Sequence, residues 1–153
     1  MRILLLEDKP DTLYSIAQEL KQHYFVHMCS SITKAKESIA NNLAQDDITK
    51  KIDTIVTDLN MSYAGLTPKE QEMTHGSKLS GWIWLINYVY IIPENSGIKP
   101  VIYSEFISTL EGRISSMVDA YEIEVFKKTE CVLKSKEVSG HAPLLAALAR
   151  ISK

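Results

Sequence analysis

Carboxylates, a hydroxyl and an amine stand where short apolar runs of this chain stop. Glu7 and Asp8 follow Ile3-Leu4-Leu5-Leu6, and Asp58 closes the stretch around Ile52, Ile55 and Val56. Ser104 follows Val101-Ile102-Tyr103, and Lys127-Lys128 follows Ile123-Glu124-Val125-Phe126. Three acids crowded at one edge would repel and raise one another's pKa unless a cation neutralised them. Oxygen donors in that number favour a hard ion, Mg²⁺ or Mn²⁺. A lysine is a point charge suited to a phosphoryl oxygen, and a serine hydroxyl can donate to another. Acid pair, nucleophilic carboxylate and two electrophilic partners together are what acyl-phosphate formation on an aspartate requires.

That chemistry needs the pieces at one edge, so the elements must carry them there. The apolar runs predict strands at residues 3–6, 24–29, 52–58, 99–103 and 123–126. Ile3 to Leu6 is continuously apolar, as a strand covered on both faces would be. Between them, helical spacing predicts helices over about 10–23, with Pro10 and Asp11 at its start, and from Ser30 or Ser31 through Leu43. A third runs from Gly81 to about Ile92, and a fourth carries Ile107, Leu110, Ile114, Met117 and Val118. A last helix, with Pro143 in its first turn, follows a polar segment with Ser139 and Gly140. Alternating strands and helices predict an α/β fold with a parallel sheet and right-handed crossovers. In such a sheet the carboxyl ends of the strands share an edge, where α/β folds bind ligands.

Composition bounds the rest. The chain has 153 residues, a net charge of −2, 45% hydrophobic and 24% charged residues. It is expected to fold as one domain with an ordinary core. Neither the charge nor any run of Lys and Arg suggests nucleic acid as a direct partner. Cys29 and Cys131 show no metal spacing and read as thiols of a reducing cytoplasm. The four histidines, His23, His27, His75 and His141, also lack metal spacing, and His141 reads as a helix-start residue. No signal peptide or spanning segment is expected. Trp82, Trp84, Tyr88 and Tyr90 read as helix packing.

The four strand-end pieces, in this order, resemble the receiver domain of two-component response regulators. They are Ile3-Leu4-Leu5-Leu6-Glu7-Asp8-Lys9-Pro10, Ile55-Val56-Thr57-Asp58-Leu59-Asn60-Met61, Val101-Ile102-Tyr103-Ser104 and Val125-Phe126-Lys127-Lys128. The resemblance covers nearly the whole chain. It implies a flavodoxin-like, doubly wound, five-stranded parallel sheet of order 2-1-3-4-5 with helices on both faces. It implies Asp58 as phosphoacceptor, Asp8 as direct Mg²⁺ ligand with Glu7 beside it, and the Asn60 backbone carbonyl as a further ligand. It also implies Ser104 as switch hydroxyl and Lys128 as the phosphate-pairing lysine, with Lys127 as runner-up. Departures are Glu7 for an Asp, Ser62 for a Pro, Glu105 for a small residue, Thr129 for a Pro, and Val125 where an aromatic usually stands. Gly81 aligns with the glycine that usually follows the third strand, which leaves residues 62–80 as a long insertion. Such a loop costs little entropy, about 0.6 kcal/mol per doubling of length.

The resemblance implies a histidine kinase or phosphotransfer protein as donor and a downstream protein as output, with a homodimer left open. The chain ends just after the fifth helix, so a stand-alone receiver without a further output domain is expected. A degenerate receiver acting as a phosphorylation-independent binding module is the alternative. A haloacid-dehalogenase-type phosphatase is disfavoured, because its nucleophile sits in an early Asp-x-Asp and here the acid pair comes first, while Asp58-Leu59-Asn60 lacks a second Asp.

Overall fold

The computed structural model describes residues 1–116, 118–135 and 140–153. Met117, placed in the fourth helix above, and Ser139 lie outside them. Strands β1 (Arg2–Leu6), β2 (Phe25–Cys29), β3 (Thr54–Thr57), β4 (Lys99–Ser104) and β5 (Glu130–Leu133) form one sheet. Every pairing is parallel and the order is β2-β1-β3-β4-β5. That is the doubly wound, flavodoxin-like arrangement expected.

Helix α1 (Pro10–Leu20) and helix α7 (Ala142–Ile151) cover one face. Leu13, Ile16 and Leu20 of α1, with Leu144 and Leu148 of α7, pack on Ile3, Leu5, Val56, Val101 and Val132. The other face is covered by α2 (Ile32–Leu43), α4 (Ser80–Trp84), α5 (Ile107–Ser115) and α6 (Ala120–Lys127). Leu4, Leu6, Ile55 and Ile102 point there, together with the fully buried Trp82 and Trp84. Alternate residues of one strand thus enter opposite cores, which is why β1 is apolar throughout. The aromatic helix-packing expectation holds: Trp82 and Trp84 are 0% exposed and Tyr90 is buried.

Two elements differ from the sequence expectation. The third helix starts as α4 and continues as a wider turn over Leu85–Val89, where Tyr90 N–H donates to Leu85 O five residues back at 3.0 Å. The fifth strand is displaced. Residues Ile123 to Phe126 belong to α6, and β5 comes later, at Glu130–Leu133. A run of four with apolar ends fits a helix face as well as a strand. Here Val125 and Glu122 turn inward together, three apart, as a helix requires. Trp82 Nε1 donates to Glu122 at 2.7 Å, and Arg113 of α5 pairs with the same carboxylate, fastening α6 to α4 and α5.

Residues between β3 and α4 form an ordered excursion with one short helix, α3 (Pro68–Glu72). Thr67 and Glu70 cap it reciprocally, a capping box. Glu70 also accepts from Tyr88 OH at 2.6 Å and Asn87 Nδ2 at 2.7 Å. Lys36 of α2 donates to Gly65 O at 3.0 Å and lies over the Tyr88 ring.

Candidate phosphoacceptor site

β1 and β3 are neighbours, with Leu6 opposite Thr57, so the residues after them emerge side by side. Asp58 N–H donates to Leu6 O at 3.2 Å and Glu7 N–H to Cys29 O at 3.1 Å, which extends the ladder to the acids themselves. Lys134 N–H donates to Ser104 O at 2.9 Å and does the same for β4 and β5. The carboxyl edge of the sheet therefore carries Glu7, Asp58, Ser104 and Lys134.

Their side chains meet. Lys134 Nζ lies 3.1 Å from Asp58 Oδ2 and 3.6 Å from Glu7 Oε2. Asp58 Oδ1 accepts from the backbone N–H of Leu59 at 2.7 Å and of Asn60 at 3.3 Å. Asp8 Oδ2 accepts from Ser62 N–H at 2.9 Å. Asn60 Oδ1 accepts from Ser77 Oγ at 3.0 Å. Ser104 is fully buried, and its Oγ accepts from Phe106 N–H at 3.1 Å. The site opens into a cleft of about 510 Å³ lined by Glu7, Asp58, Asn60, Lys134 and, further along, Ser15, Tyr103 and His141.

Lys128, assigned as the phosphate-pairing lysine from the sequence, is not at this edge. It ends α6, donates to Ser96 O at 3.2 Å and rests over the Tyr90 ring. Lys127 pairs with Glu124 on the surface. Their displacement follows directly from that of the fifth strand. The ammonium beside Asp58 belongs to Lys134. The sequence signal for it was there: Cys131-Val132-Leu133 is an apolar run closed by a lysine. With the register moved, Cys131 takes the slot three before the lysine, where Val125 was placed, and Ser135 takes the slot after it in place of Thr129.

Charge in the site is unbalanced. Glu7 is 1% exposed, and Glu7 Oε1, Glu7 Oε2 and Asp8 Oδ1 are buried oxygens with no hydrogen-bond partner. Burial pushes the Glu7 carboxyl up to about 8; Lys134 opposes the rise and Asp58 and Asp8 add to it. Buried carboxylate oxygens without donors are what a hard cation would satisfy. The donor set fits Mg²⁺, which takes one or two carboxylates and keeps several waters. No group of three or more His, Cys, Asp or Glu side chains is disposed as a metal cluster among the described residues.

No family model matches the chain, and no curated protein matches it. Solved structures do. A response regulator receiver domain protein from Clostridium thermocellum superimposes with a TM-score of 0.57 at 20% identity, covering 99% of this chain and 96% of that one. RcsB from Salmonella enterica serovar Typhimurium, bound to promoter rprA in the presence of the phosphomimetic BeF3-, superimposes with a TM-score of 0.55 at 18% identity, covering 100% and 99%. The fold is that of a response regulator receiver. Within it, Asp58 ends the central strand, Glu7-Asp8 ends the strand beside it, and Ser104 and Lys134 end the next two. Gly81 completes the local fit: a Cβ there would run into the Asp58 carbonyl, so the first turn of α4 sits directly on the backbone of the acid.

Proposed function

We propose that this chain is a phosphoacceptor of two-component signalling, with Asp58 as the acceptor and Lys134 as its electrostatic partner. The observation that carries this reading is the Lys134–Asp58 contact at 3.1 Å beside the donor-starved oxygens of Glu7 and Asp8. The Asp58 carboxylate attacks the phosphorus of a phosphohistidine on a kinase or phosphotransfer protein. The P–N bond breaks, the imidazole leaves and takes a proton, and an acyl phosphate remains on Asp58. Mg²⁺, held by Asp8, Asp58 and the Asn60 carbonyl with Glu7 acting through water, would neutralise phosphoryl oxygens as charge moves. Lys134 holds Asp58 Oδ2 and then meets the phosphoryl oxygens. Leu59 and Asn60 N–H groups fix Oδ1. Ser104 stands ready to turn its hydroxyl from the Phe106 amide toward the new phosphate.

Output then passes by contact with another protein or by onward phosphoryl transfer, with no direct nucleic-acid role. Among the described residues no helix is long and apolar enough to cross a membrane. The free thiols of Cys29 and Cys131 support a cytoplasmic setting.

Intact mass after incubation with Mg²⁺ and acetyl phosphate tests the reading. The expected result is one phosphoryl adduct, dependent on Mg²⁺, discharged by hydroxylamine and absent in Asp58→Asn. An adduct that survives in Asp58→Asn would overturn the assignment. Steady turnover of a generic phosphate ester would instead favour a phosphatase.

A further inference from the structure

The cleft beside Asp58 holds a second connected group of side chains that the phosphoacceptor chemistry leaves unused. His141, at the start of α7, spans two other elements. Its Nδ1 meets Tyr103 OH of β4 at 2.7 Å, and its Nε2 meets Ser15 Oγ of α1 at 2.9 Å. Its backbone N–H donates to Glu19 Oε2 of α1 at 2.9 Å. The preceding Gly140 has φ +74° and lies so close to Glu19 that an added Cβ would sit 2.8 Å from Oε1. The start of α7 is thus pinned to α1 through side chain and backbone at once.

The same tyrosine faces the phosphoacceptor lysine. Lys134 Nζ lies 5.2 Å from the centre of the Tyr103 ring while it holds Asp58 Oδ2. An ammonium at that distance is attracted to the ring face. Tyr103 and His141 rings also meet edge to face, 5.6 Å apart. A continuous set of contacts therefore runs from Asp58 through Lys134, Tyr103 and His141 to Ser15 and Glu19.

We propose that His141 is a positioning residue for Lys134, fixing Tyr103 beneath the ammonium, and that through it the state of Asp58 is linked to the docking of α7 on α1. This rests on the phosphoacceptor reading above. The face so reached is the α1–α7 side of the sheet. Titration of His141 reports the link, because the charges around it are few among the described residues: Glu19 on α1 favours the imidazolium and Lys134 opposes it. Burial, the largest influence, holds the imidazole below its ordinary pKa. A phosphoryl group replaces the single charge of the Asp58 carboxylate with nearly two and engages Lys134, so it favours His141 protonation. By linkage, a proton on His141 favours the phosphorylated state by the same factor.

The test is the His141 titration followed by NMR of its ring in the full chain, in Mg²⁺ throughout, with and without beryllofluoride, while ¹⁹F NMR reports whether beryllofluoride sits on Asp58. The expected result is an upward move of the His141 midpoint by roughly half a pH unit or more when the adduct forms. Lys134→Met should move the midpoint in the same direction without any adduct. His141→Gln, whose amide can still meet Tyr103 and Ser15 but cannot titrate, should flatten the pH dependence of phosphoryl lifetime between about pH 5 and 7. An adduct on Asp58 with an unmoved His141 midpoint overturns the proposal and leaves the phosphoacceptor reading intact. Absence of any adduct overturns both.

Discussion

Lys134 reaches Asp58 because it is the first residue after a strand that pairs with β4, whereas Lys128 ends a helix six residues earlier in the chain. That difference is a statement about chemistry. A cation held 3.1 Å from the Asp58 carboxylate and 15% exposed is screened little by solvent, and under the proposed function it would remain in place as phosphoryl charge develops. Lys134→Ala is therefore expected to slow phosphoryl incorporation by about a hundredfold or more, the usual cost of losing one preorganised electrostatic partner. Lys128→Ala, which loses a contact to Ser96 O and the Tyr90 ring, should leave the rate within about twofold. Initial rates of acetyl-phosphate labelling compare them. The acids and the serine were legible from sequence because each directly follows an unambiguous apolar run. The lysine was not, because two short runs competed and Ile123 to Phe126 satisfied both periods. Val125 buried with Glu122 on one face decides for the helix only once Trp82 and Arg113 are seen to hold Glu122.

Elements carry the site by how closely they pack on its backbone. Gly81 lets α4 rest on the Asp58 carbonyl while its N–H donates to Leu59 O at 3.1 Å. Gly81→Ala would gain helix propensity of about 1 kcal/mol, yet must displace backbone. The net loss is expected to be about 2 kcal/mol, read as a lower urea midpoint at unchanged slope. The glycine was visible in the sequence; the reason for it, a carbonyl in the way, was not. The excursion between β3 and α4 is likewise structured where the sequence showed no periodicity. Polar bonds order it instead: Glu70 gathers Thr67, Tyr88 and Asn87, and burial of its carboxyl is outweighed by those donors, which hold its pKa below the usual value. Both ends are tied to the site, Ser62 to Asp8 and Ser77 to Asn60. His75 and Ser77 flank Gly76 in left-handed conformations at φ 53° and 76°, a strain retained at that junction. Glu70→Ala should cost about 1–2 kcal/mol and raise amide exchange across residues 66–73 ahead of the sheet.

At the scale of the molecule, sheet order 2-1-3-4-5 makes β1 and β3 adjacent and so crowds Glu7 and Asp58 around one lysine. The fold brings the repelling acids together. Glu7 has an unfolded pKa near 4.5 and a folded value of about 8. The folded chain thus keeps a proton that the unfolded chain releases. Stability associated with Glu7 is fully present below about pH 4.5 and is lost progressively as pH rises through about 8. The Mg²⁺ binding proposed above would have to expel that proton, so apparent Mg²⁺ affinity should rise with pH over the same window. Thermal unfolding with and without Mg²⁺ from pH 5 to 8.5 would show the stabilisation by Mg²⁺ growing with pH; a constant increment would contradict the arrangement. This part of the site was foreseen in kind, since three acids at strand ends must repel, but the extent depends on burial that composition does not reveal.

The proposed function requires Asp58 and Lys134 to act as one phosphoacceptor unit. Phosphoryl incorporation per molecule, measured by intact mass with Mg²⁺ and acetyl phosphate, should be compared across the wild type, Asp58→Asn, Lys134→Ala and Lys128→Ala. A single labile adduct is expected in the wild type and in Lys128→Ala, none in Asp58→Asn, and at most a trace in Lys134→Ala. Full incorporation in Lys134→Ala, or an adduct lost in Lys128→Ala, would contradict it.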